Sequence, residues 1–282
     1  MGTSSSNPGQ KPSTPLLPNW SDSAPPVDPQ IPIQPGGNDK NGKDKQPPEV
    51  TPKGFDNRFR QPRSDFTRYL SSGGRSKSSL GSAISRCIAS GYGGAGTAAR
   101  RMTASRYAAS NLMTYLSDIK REGLDATLKK ISKENLIGKP PKEIFASLVD
   151  VICPSDGSID VGIARDAFIE TIIIQSDEIE NELNFTDQQI NTIVIQFISK
   201  TISLRLINDI GTKYDFTELD ATSAIQIQAA VDGFIFDSVR NQLHARLDEV
   251  DNGISRNDLE PLMNKIYENA FEILRIEAEG IK

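Results

Sequence analysis

The sequence predicts an all-α protein: a single helical-bundle domain over residues 61–282, preceded by a long, disordered Pro/Gly/Ser-rich tail over residues 1–60. Three observations carry this expectation. Thirteen of the seventeen prolines fall within the first 62 residues, so that stretch has too little apolar surface to offset the entropy lost on ordering it. Beyond it, apolar residues recur every three to four positions in segments punctuated by Gly and Pro, the period of an amphipathic helix. No stretch shows a convincing alternation of apolar and polar residues around a hairpin turn.

Along the tail, Gly36-Gly37-Asn38 and Asn41-Gly42 are turn signals. Within it, Leu16-Leu17-Pro18-Asn19-Trp20 forms a short apolar string around the only tryptophan, a candidate docking peptide. As a flexible coil about 50 residues long the tail spans roughly 40 Å, and in full polyproline extension roughly 150 Å. A terminus on such a tether reaches a deep pocket on a docked protein at an effective concentration of about a millimolar.

The body then reads as successive helices. Ser64 to Leu70 is a turn or two ending at Gly73-Gly74, and Ser78 to Ala89 sets Leu80, Ala83, Ile84, Cys87 and Ile88 at helical spacing before Gly91. Thr97 to about Lys120 is one longer helix, with Leu112, Met113, Leu116 and Ile119 on a recurring face, stopped near Gly123. Pro140-Pro141 begins a segment carrying Ile144, Phe145, Leu148 and Ile152, closed by Pro154 and Gly157. Ser158 opens a helix through Ile174, and Thr186 with Gln189 has the pattern of a capping box before a helix to about Ile207. The Ile-rich stretches 171–174 and 191–199 have strand-like composition, but their length and spacing favour helix. A long helix over 217–250, with Gly233 as its candidate break, and a last one over 260–278 complete the bundle.

Composition narrows the chemistry. A single histidine, His244, removes most zinc, Ser-His and Cys-His schemes, and Cys87 and Cys153 have no second thiol at ligand spacing. The reading is therefore non-enzymatic, with no metal and no cofactor. Gly91 to Gly96 matches the G-x-G-x-x-G string before a helix, but what precedes it reads as helix, and a dinucleotide fold needs a strand there. Gly93, Gly94 and Gly96, with Arg100, Arg101 and Arg106 just beyond, stay candidates for an anion or partner contact. No apolar run suits a membrane span, and the start has no secretory pattern, so a soluble cytoplasmic protein is expected.

Charge is segregated beneath the net value of −5. Residues 53–106 hold eleven Lys/Arg against two Asp/Glu, and residues 107–282 hold seventeen against thirty. The basic segment, whose folded part is 61–106, either folds onto the acidic remainder or meets phosphates as a nucleic-acid-binding module. Met1-Gly2 followed by Ser6 fits an acylation pattern, and removal of Met1 would expose a Gly2 amine whose ordinary pKa leaves a fraction nucleophilic near neutrality.

Taken together, Met1 to Ser4, Arg68 to Gly74, Gly91 to Met102, Cys153 to Thr171, Asn208 to Lys213 and Tyr267 to Leu274 resemble the QatB family, a component of the bacterial Qat anti-phage defence system. The resemblance spans nearly the whole chain. It implies an accessory protein encoded with an ATPase, a QueC-like enzyme and a TatD-like nuclease. It further implies that the QueC-like partner binds this chain and conjugates a 7-deazaguanine-type nucleobase to Gly2.

Overall fold

The computed structural model describes residues 57–175, 185–211, 220–248 and 256–281. Gly2, Leu16, Leu17 and Trp20 lie outside the described residues. Every regular element among the described residues is helical, so the Ile-rich stretches on either side of the segment 176–184 are helix and not strand.

The first helix, α1 (Asn57–Ser71), starts well before the expected Ser64 and carries Pro62 within it. Next comes α2 (Lys77–Arg86), which widens into a π-helical turn over Cys87–Tyr92. That turn is seated by a close approach: a Cβ on Gly91 would stand 2.7 Å from the Phe59 ring. The single helix expected over 97–120 is two, α3 (Ala95–Arg100) and α4 (Thr103–Glu122), broken at Arg101 and Met102. Two short elements not anticipated follow, α5 (Leu124–Lys130) and a 3-10 turn over Glu134–Leu136. The next segment also divides, into α6 (Pro141–Ser147) and α7 (Val149–Ile152) about Leu148.

The longer helices carry the signals expected of them. Ser158 caps α8 (Ile159–Ile174), its side chain accepting from the Val161 amide. At α9 (Asp187–Ile210) the capping box is complete, with Thr186 and Gln189 each satisfying the other's backbone. A 28-residue helix, α10 (Ala221–Asp248), runs through Gly233 without a break, because cross-helix packing of Val231 and Ile235 outweighs one weak residue. The last, α11 (Arg256–Gly280), begins ahead of the expected Glu260 and includes Pro261.

The bundle is organised around α9, which packs against α4, α8 and α10 and also touches α1. Fourteen of its 24 residues are buried, on more than one face, as befits a helix that is apolar all round. By length and composition it is apolar enough to cross a membrane, but 72% of that stretch is buried inside the bundle, which marks it as a core helix. Its one buried cation, Lys200, sits between Glu170 of α8 and Asp232 of α10, 2.5 Å from the latter. On the far side, α11 gathers α2, α3, α4 and α10, with Tyr267, Phe271 and Leu274 fully buried.

Candidate functional site

The glycine string is a helix-to-helix connection. Gly93 and Gly94 take φ of 82° and 101°, left-handed values that suit residues without a Cβ, and the Gly94 amide donates back to the Ile88 carbonyl at 2.9 Å. A π turn precedes it and only six residues of helix follow, so the strand-turn-helix frame of a dinucleotide site is missing. Gly96 and Arg100 come together beside Glu268: a Cβ on Gly96 would stand 2.9 Å from the Glu268 carboxylate and 3.6 Å from the Arg100 guanidinium.

The arginines of the basic segment have separate partners. Exposed Arg100 donates to Thr97 Oγ1 at 3.0 Å, and the Arg101 guanidinium lies over the Tyr92 ring at 5.9 Å. Arg106 donates to Asn264 Oδ1 at 2.9 Å and so ties α4 to α11. Further back, Arg63 donates to the Asp209 carbonyl at 3.1 Å, while Arg68 and Arg86 converge on the fully buried Asp65. Arg63 and Arg106 thus tie the basic segment to α9 and α11, whereas Arg68, Arg86, Arg100 and Arg101 meet partners within the segment itself.

A buried polar network joins these elements, and the sequence reading did not single it out. Tyr92 Oη donates to Asp209 Oδ2 at 2.8 Å, and Arg205 Nε donates to the same oxygen at 2.9 Å. Burial pushes the Tyr92 phenol up, with Cys87 and Asp209 adding to the effect. Burial likewise holds the Cys87 thiol protonated, reinforced by Asp209. The available signal was an aspartate with an arginine at i−4 within an otherwise apolar helix.

A cavity of about 500 Å³ opens between the N-terminal ends of α4 and α8. Tyr107, Pro154, Val161 and Ala164 wall it, and Asp156, Asp160 and Glu260 bring carboxylates to it. The Ala104 amide donates to Asp160 Oδ2 at 2.7 Å, so a side chain of α8 caps α4. Burial raises the Asp160 pKa, against the opposing pull of the Ala104 amide and of Arg205. Asp156 is lowered, by hydrogen bonds from Ser158. Cys153 Sγ donates to the Ala164 carbonyl at 3.6 Å, and burial lifts its thiol to about 12, leaving no thiolate at neutral pH. Such walls and carboxylates suit a cation carried on an apolar stem.

Among the described residues, no group of three or more His, Cys, Asp and Glu side chains is placed to hold a metal ion. His244 Nε2 stands 3.5 Å from Thr192 Oγ1. No curated protein and no solved structure matches the chain. The family model described as Qat anti-phage system associated protein QatB matches residues 93–274, from the glycine connection through the Asp160 cavity and Asp209 to the buried core of α11. With well over half its length matched, this chain belongs to the QatB family of Qat anti-phage system associated proteins.

Proposed function

We propose that this component of an anti-phage defence system is non-enzymatic: its helical domain, which starts with α1 at Asn57, docks the QueC-like enzyme, and the tail ahead of it presents Gly2 for conjugation to a 7-deazaguanine-type base. Family membership carries the reading, since it makes the chain an associated protein of that system. Further support comes from how the reactive side chains of the body are engaged. Both thiols are buried with raised pKa values, and Asp160 is used as a helix cap. The composition of the tail, rich in proline and poor in apolar residues, suits a substrate delivered into a cavity on another protein. The ATPase and TatD-like nuclease complete the set of partners, and the assembly acts in the cytoplasm.

Intact-mass measurement of the protein co-expressed with and without the QueC-like enzyme tests the proposal. A mass added at Gly2 and lost on Gly2 substitution is expected, and an unchanged mass in both preparations would overturn it. The second reading, nucleic-acid binding through residues 53–106, draws on the exposed cations of Arg60, Lys77 and Arg100. Arg60→Glu with Arg100→Glu should abolish salt-sensitive DNA or RNA binding if that reading holds.

A further inference from the structure

Helix α8 has the composition of a helix buried on every side, yet one of its faces is bare. Val161, Ala164, Ala167, Phe168 and Thr171 point into the bundle. On the opposite side Ile159, Ile169 and Ile173 are 56%, 46% and 58% exposed. Their spacing, with Gly162 and Asp166 between them, lays one stripe along about four turns, roughly 20 Å. Single exposed isoleucines are ordinary, but three aligned on one helix form a patch of the kind that marks an interaction surface.

The shape and charge of the stripe say what fits it. A Cβ on Gly162 would meet nothing within 4 Å, so the stripe has open space between Ile159 and Asp166 that a side chain of a second helix can occupy. The other charges of α8 near it are spent inside the molecule: Glu170 on Lys200, and Arg165 on Asp150 and the Cys153 carbonyl. Asp166 is exposed and has no hydrogen-bond or ion-pair partner among the described residues. A second copy would set Asp166 against Asp166 when stacked antiparallel, on a body that already carries thirteen excess negative charges over residues 107–282. An amphipathic helix with a Lys or Arg between its apolar turns meets the stripe and neutralises its one unspent charge.

We infer that the α8 face, Ile159, Gly162, Asp166, Ile169 and Ile173, is a docking surface for a basic amphipathic helix of a protein partner. The inference rests on the docking role proposed above and gives that role a location. In the test, the full chain is titrated by calorimetry with each of the purified QueC-like enzyme, ATPase and TatD-like nuclease, and its own oligomeric state is measured by sedimentation. The variants are Ile169→Ser with Ile173→Ser, and separately Asp166→Lys, all on exposed positions, with circular dichroism confirming the fold.

One of the three proteins should bind the wild type, the double serine variant should bind at least about 30-fold more weakly, and Asp166→Lys about tenfold more weakly. Binding that ignores both variants, or no binding to any of the three, overturns the inference. So does a wild-type dimer that weakens with Ile169→Ser and Ile173→Ser, which would make the occupant a second copy. The intact-mass measurement separates this from the modification itself. Mass added at Gly2 with variant-insensitive binding leaves the modification standing and moves the docking surface. Variant-sensitive binding without added mass does the reverse.

Discussion

Asp209 is where the fold is most open to a decisive perturbation. Its carboxylate accepts from Tyr92 and from Arg205, at 2.8 and 2.9 Å, and its backbone carbonyl accepts from Arg63. The Asp209→Ala variant keeps the carbonyl contact but strands a fully buried phenol and a guanidinium whose side chain is only 18% exposed. A hydrogen bond to a charged group contributes about 1.5–3 kcal/mol, and stranding a partner adds its desolvation. With both charged side chains partly reaching solvent, the lower end applies, giving a loss of about 3 kcal/mol. For a body of this size that lowers Tm by about 9 °C. Asp209→Asn retains an oxygen for Tyr92 and should lose about half as much. Thermal melts followed by circular dichroism, paired with urea titrations of unchanged slope, measure both. If both variants stay within about 0.5 kcal/mol of the wild type, the network does not hold the π turn to α9 and the reasoning fails.

Four further outcomes are expected. Lys200→Met should cost about 2 kcal/mol near neutral pH by stranding Asp232, whose other partner is Ser203. Burial pulls the Lys200 pKa down, but hydrogen bonds to Asp232 and Glu170 outweigh it and hold the ammonium above its ordinary value. Its contribution is therefore complete below about pH 10.5 and fades as pH climbs through the raised value, so urea midpoints of variant and wild type should converge in strong alkali. Gly81→Ala should cost about 2 kcal/mol in thermal melts, because the new methyl would stand 2.4 Å from the Ala278 carbonyl. Gly233→Ala, in open space within α10, should raise stability by about 0.5–1 kcal/mol. Thr186→Ala breaks the capping box and should lower stability by about 1 kcal/mol, and an unchanged urea midpoint would show that the cap contributes nothing.

Local signals read true where they act over one or two turns. Thr186 with Gln189, and Ser158 ahead of Val161, satisfy backbone amides a few residues away, so their starts were legible without knowing the rest of the molecule. The all-helical class was equally legible, because the apolar period is a property of the chain alone. Breaks within helices were not. Nothing local marks Met102 or Leu148 as boundaries: both are apolar and fully buried, and the chain turns there to seat them in the core. Conversely Gly233, a weak helix residue, is carried through because its neighbours pack on α9 and α11.

The candidate sites divide in the same way. Sequence alone determined that a proline-rich tail precedes a helical body, that positive charge gathers before residue 107, and that the glycine string lacks a strand ahead of it. Those are matters of composition and order. Tertiary structure decided which charges stay available and which are consumed, since an arginine at the surface and one folded onto Asn264 or the Asp209 carbonyl are the same letter in the chain. It also decided that α9, apolar all round, is enclosed, whereas α8, equally apolar, keeps one face in water. Enclosure depends on which helices arrive to cover a face, and those arrive from distant parts of the sequence.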